Sequence, residues 1–230
     1  MTDEVKKIKG VVDFVFLIDA TGSMGHVIDA LKNNLNTFID SMIADPQSPI
    51  QDWRGKVFGF RDVEEDGSDA FVDNPFVSKD VAALKAQLAT LEAKGGGDVP
   101  ESLLDGLYKV GSMPQMDKGS QTIDPGKWRY RSNAARVVIV FTDVPFKEKM
   151  SIPEAKGGGL DDIVNLMHSN RIILSIFAPE NECFNKLAET DKSEYIPGDL
   201  AEITSKPENF KKTLLQLAKS VSKSAAVETL

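Results

Sequence analysis

Strand-length apolar runs alternate with helical-period stripes along almost the whole of this chain, and that alternation constrains the fold more than any other feature. Residues 11–18 are β-branched and aromatic, broken only by Asp13, and read as a strand buried on both faces. The run ends at Asp19. After a Thr21-Gly22-Ser23 turn, Val27, Ile28, Leu31, Leu35, Phe38, Ile39 and Met42 recur with a period of about 3.6, which makes one apolar stripe on a long helix. Residues 57–60 and 71–77 read as short strands, and Val81, Leu84, Leu88 and Leu91 return to helical spacing. Leu103, Leu104, Leu107 and Tyr108 predict another helix, and residues 136–141 are the most strand-like run in the chain. Ile163, Val164, Leu166 and Met167 then predict a helix, residues 171–177 a strand, and Phe210, Leu214, Leu217 and Val221 a final helix. Ser205 and Glu208 stand at capping-box spacing ahead of that last stripe, with Pro207 in its first turn.

Repeated strand-helix units predict an α/β domain: an open, mostly parallel sheet with helices on both faces. Only the loop 61–69 separates the strands near Phe58 and Phe71, so one of them is expected to be an antiparallel edge strand. A length of 230 residues suits a single core, assigned to residues 10–222, with 1–9 as an N-terminal extension and 223–230 as a flexible tail. Gly95-Gly96-Gly97 and Gly157-Gly158-Gly159 read as flexible loops.

Charge and cysteine content narrow the function classes. Against 27 basic residues stand 35 acidic ones, a net charge of −8, and this sign opposes nonspecific nucleic-acid binding, which depends on neutralising phosphates. Cys183 is the only cysteine, so neither an internal disulfide nor a cysteine-rich zinc site can form. The first residues carry both charge signs and lack the pattern of a secretory signal. Nor does any stretch reach the roughly 18 apolar residues of a membrane span. The expectation is a cytoplasmic protein without nucleic-acid or membrane partners.

In open parallel sheets, ligands bind beyond the carboxyl ends of the strands, where the strand order reverses. Asp19 and Asp143 follow the two strongest strand patterns, and Thr21 and Ser23 bring two hydroxyls to the start of the next helix. Oxygen donors of this kind suit a hard cation, Mg²⁺, Mn²⁺ or Ca²⁺.

The run Asp19-Ala20-Thr21-Gly22-Ser23-Met24 resembles the metal-ion-dependent adhesion site of von Willebrand factor type A domains. Gly96-Gly97-Asp98 is similar to that family's glycine loop, and Thr142-Asp143 to its last element, at spacings of roughly 75 and 45 residues. The resemblance implies a Rossmann-like sheet that holds a divalent cation through Asp19, Thr21, Ser23, Asp98 and Asp143. It also implies a noncatalytic module whose protein partner completes the metal shell with a carboxylate. Asp98 stands where adhesion receptors carry Thr, and this resembles the intracellular and prokaryotic-type subgroup. An added negative ligand lowers the attraction of the cation for an incoming carboxylate.

Plainer roles compete for the same residues. Asp19, Thr21 and Ser23 are good helix caps, Asp143 is an ordinary strand-end turn residue, and Asp98-Val99-Pro100-Glu101 has the form of a capping box that starts a helix at Pro100. Arg61-Asp62 with Glu64, Glu65 and Asp66 reads as a solvated acidic loop, the alternative being that Asp62, at a strand end, reaches the groups surrounding the metal's ligands. His26 and His168 fit no metal spacing, and Cys183 reads as a small buried apolar residue. Trp128 and Tyr130, set among Lys127, Arg129 and Arg131, are either an exposed contact surface or a loop with its aromatics turned inward. The competing function is a Mg²⁺-dependent phosphotransferase of the haloacid-dehalogenase type. That chemistry needs a second carboxylate two residues after the nucleophilic Asp, where this chain has Thr21.

Overall fold

The computed structural model describes residues 10–43, 50–97 and 99–226. Among these residues seven strands form one sheet: β1 (Val11–Asp19), β2 (Asp52–Phe60), β3 (Phe71–Asp73), β4 (Val77–Ser78), β5 (Ala135–Phe141), β6 (Ile172–Ala178) and β7 (Glu194–Pro197). The spatial order is β3-β2-β1-β5-β6-β7, with β4 also on β2. All pairings are parallel except those of β3 and β4 with β2. The antiparallel edge thus comes in two pieces. Asn74, Pro75 and Phe76 interrupt the stretch read as a single strand, as expected of a proline that lacks a ladder donor.

Alternate side chains of the central strands supply two cores, as the two-residue period of a strand requires. Phe14, Phe16, Ile18, Val137, Ile139 and Phe141 face one side. There they meet α1 (Gly25–Ile43), α3 (Val81–Ala89), α7 (Leu200–Ser205) and α8 (Pro207–Ala226), whose Leu31, Leu35, Leu84, Leu88, Leu200, Leu214 and Val221 are buried. Val15, Leu17, Val138, Val140, Leu174 and Ile176 face the other side, against α4 (Leu103–Gly111), α5 (Leu160–Asn170) and α6 (Glu182–Leu187). The remaining helix, α2 (Val63–Asp66), is a single turn beyond the end of β2.

β2 begins five residues before its apolar run because its first half carries buried charge. Asp13 and Arg54 are register partners on β1 and β2, both fully buried, with Arg54 Nε donating to Asp13 Oδ1 at 3.0 Å. The interruption of the first strand by Asp13 is therefore one half of a buried ion pair. Arg129 joins it: its backbone N–H donates to Asp13 Oδ2 at 2.8 Å and its Nη2 to Asp52 Oδ2 at 2.7 Å. Trp128 beside it is fully buried and donates its indole N–H to the Val110 carbonyl at 3.0 Å. The segment around residue 130 accordingly folds inward at the amino ends of the strands instead of presenting a contact surface. Among the described residues no helix is long and apolar enough to cross a membrane.

Candidate metal centre

The strand order reverses between β1 and β5: β2 follows β1 on one side, while β5 and β6 lie on the other. Asp19 is the last residue of β1, and Asp143 lies two residues beyond the end of β5. Both flank the switch point.

Asp19 is fully buried. Its Oδ1 accepts from the backbone N–H of Thr21 at 2.9 Å and from the Thr21 hydroxyl at 2.7 Å, and its Oδ2 accepts from the Thr142 hydroxyl at 2.9 Å. The Thr21 and Ser23 hydroxyl oxygens are 3.4 Å apart. Burial pushes the Asp19 carboxyl up to about 6 despite the opposing pull of the Thr21 and Thr142 hydrogen bonds, and nearby Asp143 adds to the rise. Asp143 itself is half-buried, and its buried Oδ1 has no hydrogen-bond partner. Such an orphaned oxygen is costly unless something cationic or protic meets it.

The glycine loop is tied to its neighbours by hydrogen bonds of its backbone. Gly22 N–H donates to the Gly95 carbonyl at 3.3 Å, and Gly96 N–H to Asp66 Oδ2 at 2.9 Å. Gly96 has φ +72°, and a Cβ there would lie 2.8 Å from both Glu101 Oε1 and Thr21 Cγ2, so the close approach of the loop requires glycine. Asp98 lies outside the described residues. The helix expected to start at Pro100 begins instead at Leu103, with Ser102 in the cap position.

That shift changes the meaning of Glu101. It sits in a backbone bridge to the loop after Asp143: its N–H donates to the Pro145 carbonyl at 3.1 Å, and Lys147 N–H donates to its carbonyl at 2.9 Å. Its side chain is 4% exposed and its Oε2 has no partner. Burial, with the negative charges of Asp19 and Asp62 nearby, raises its carboxyl to about 7.

The Arg61-Asp62 pair is not solvated, since both residues are buried. Arg61 binds three backbone carbonyls: Ala20 through Nε at 3.1 Å, Asp69 through Nη1 at 2.7 Å and Glu92 through Nη2 at 2.8 Å. It therefore ties the end of β1 to two neighbouring loops. Asp62 caps α2 by accepting from Glu64 N–H at 2.9 Å, and it accepts from Lys147 Nζ at 2.6 Å. Glu64 and Glu65 are exposed, as the acidic-loop reading expects. His26 and His168 are exposed, and Cys183 is half-buried and unpaired. A cleft of about 550 Å³ opens beside Asp143, with Glu180, Pro197 and Leu200 on its walls.

Asp19, Thr21 and Ser23 are thus brought together, with Asp143 next to Asp19. Arg61, Glu101 and Lys147 join them, although sequence reasoning placed none of the three at this centre. Among the described residues no three His, Cys, Asp or Glu side chains are placed to hold a metal ion by themselves. A cation here depends on hydroxyls for part of its shell. Hard-oxygen donors beside two orphaned carboxylate oxygens fit a divalent ion such as Mg²⁺.

The family model of the von Willebrand factor A domain matches residues 13–113. No curated protein matches the sequence. Among solved structures, proximal thread matrix protein 1 from the mussel byssus is similar at TM-score 0.54 and 12% identity, over 92% of this chain and 47% of that one. The same mussel protein with a zinc-occupied MIDAS motif is similar to the same degree. The pilus adhesin SpaC from Lactobacillus rhamnosus GG is similar at TM-score 0.56 and 12% identity, over 93% of this chain and 30% of that one. The chain spans less than half the length of these proteins, and at such identity the likeness is one of fold.

Proposed function

We propose that the chain is a von Willebrand factor type A domain and acts as a noncatalytic binding module that grips a partner protein through a divalent cation; the family match over residues 13–113 and the likeness of fold support this reading. Asp19, Thr21, Ser23 and Asp143 would hold the ion, with Asp98 as a further ligand from the glycine loop. When bound, the cation supplies an electrophilic point that a carboxylate of the partner completes. The observation that carries the reading is the buried Asp143 Oδ1 without a partner, next to Asp19 and the paired hydroxyls of Thr21 and Ser23. The zinc-occupied MIDAS motif of the mussel protein supports it as an analogy of fold. Mg²⁺ is the favoured ion, with Mn²⁺ or Ca²⁺ as alternatives.

The noncatalytic reading draws support from the position two residues after Asp19, where phosphotransferase chemistry needs a carboxylic acid. There the Thr21 hydroxyl is bonded back to Asp19 Oδ1. The unpaired Cys183 suits a cytoplasmic protein.

The test is a pull-down from cell extract with Mg²⁺ against chelator, beside a melting curve under both conditions. Mg²⁺ raises the melting temperature and retains a partner, and Asp143→Asn loses both effects. An identical melting temperature with and without millimolar Mg²⁺ in the folded protein refutes the proposal.

A further inference from the structure

The acidic basin around the metal centre holds an ammonium group that the metal-binding reading does not use. Lys147 leaves the loop that follows Asp143, and its Nζ lies 2.6 Å from Asp62 Oδ1 and 2.7 Å from Glu64 Oε2. Its side chain is 18% exposed and that of Asp62 only 3%, so the Lys147–Asp62 contact is largely sheltered from water and weakly screened. The backbone of Lys147 is bonded to Glu101, and Glu101 faces Thr21 across Gly96. Asp19, Asp62 and Asp66 each raise the Glu101 carboxyl, whereas Lys147 lowers it, so Glu101 lies within reach of both the ammonium and the Asp19 carboxylate. Arg61 is also close, and its guanidinium, held by three backbone carbonyls that leave its charge intact, is a constant background in every Lys147 variant.

We propose that Lys147 is a resident counter-ion of the metal centre, a positioning residue whose positive charge opposes the divalent cation and sets the affinity of the site below what its carboxylates alone would give. The proposal rests on the metal-binding reading above. Its physical basis is that like charges in a sheltered basin repel through a low effective dielectric. Removing the ammonium frees Asp62 and Glu64 to add their negative potential to the site. Lys147 also has a plain structural role as a latch between two loops, and the two roles predict opposite signs. Loss of a latch loosens the centre and weakens metal binding, whereas loss of a competing charge strengthens it.

Calorimetric titration with Mg²⁺ alone, on the full chain, separates them. Lys147→Gln binds Mg²⁺ about 10-fold more tightly than the wild type, and Lys147→Arg binds like the wild type. Asp62→Asn, which leaves the ammonium without its buried anion, binds more weakly, and the double variant Asp62→Asn/Lys147→Gln returns to near the wild-type affinity. This pair keeps the test decisive if Lys147→Gln alone does not fold. Mg²⁺ also raises the melting temperature of Lys147→Gln by more than that of the wild type. Unchanged or weaker binding by Lys147→Gln, or a double variant no tighter than Asp62→Asn, overturns the inference while the metal-binding reading stands. A wild type that binds no Mg²⁺ overturns both.

Discussion

The Thr142 hydroxyl donates to Asp19 Oδ2 at 2.9 Å, across the seam where β1 and β5 run side by side. The donor immediately precedes Asp143 in the chain, so the bond fixes the Asp19 carboxylate and registers it against the second carboxylate of the centre. A threonine that serves Asp19 in this way is a ligand-orienting group, and such groups shape metal affinity about as strongly as ligands do.

Thr142→Val, which keeps shape and removes the hydroxyl, is expected to weaken Mg²⁺ binding by about 10-fold, while Thr142→Ser largely preserves it. Calorimetry on both variants checks this. Equal affinity in Thr142→Val and the wild type removes Thr142 from the centre.

Stability should depend on pH with an unusual sign in chelator. Asp19 and Glu101 rise from 3.8 and 4.5 to about 6 and about 7 in the folded chain, so over that interval the folded state holds protons that the unfolded state has released. Their contribution to stability is largest below about pH 4, falls as the pH climbs through the interval and levels off above about 7. Melting temperatures in chelator should therefore lose ground between pH 5 and pH 7.5 relative to Asp19→Asn/Glu101→Gln. Saturating Mg²⁺ should recover much of the loss in the wild type. Parallel curves for the two proteins in chelator defeat the prediction.

At the opposite end of the strands, Asp13→Ala leaves the fully buried Arg54 without its carboxylate and should cost about 3–5 kcal/mol in denaturant unfolding. A paired replacement, Asp13→Leu with Arg54→Met, should recover a substantial part. Metal affinity, at the other end of the sheet, should not follow the loss so long as the variant stays folded.

A ligand role for Asp98 has a direct consequence for metal affinity. Asp98→Ser removes a negative charge, so a ligand role predicts Mg²⁺ affinity lower by about 10-fold, and unchanged affinity removes Asp98 from the centre. Asp98→Thr should lower metal affinity in the same way while it preserves or improves partner binding at saturating Mg²⁺.

The parts of this molecule that were legible in sequence are those whose signal is local. Asp19, Thr21 and Ser23 lie within five residues at the end of an apolar run, and hydrophobic period alone locates both sides of the β1–β5 seam. β2 is legible only in its second half, because Arg54 and Lys56 are charged where a strand pattern expects apolar residues. Their partners, Asp13 and Asp73, lie on other strands. β7, α6 and α7 went unread because four to six residues are too few to establish a period. Glu101 looked like a capping partner for a helix at Pro100, and only the observed start at Leu103 turns it toward the centre. Arg61 was legible as a charge but not as a staple, since backbone carbonyls leave no mark in a sequence. An arginine followed by an aspartate at a strand end was the one available sign.

The Thr142–Asp19 contact joins residues 123 positions apart, and that distance has a consequence for the order in which the protein comes into being. As the chain leaves the ribosome, Asp19, Thr21 and Ser23 emerge before β5, and Asp19 has neither its orienting hydroxyl nor its companion carboxylate until β5 has been made and docked along β1. A nascent chain that ends before residue 135 lacks Thr142 and Asp143 and cannot assemble this centre. The cation, if it is held as proposed, becomes a late addition that marks completion of the central sheet, and a chain cut short in synthesis is excluded from its partner by the layout of the strands alone.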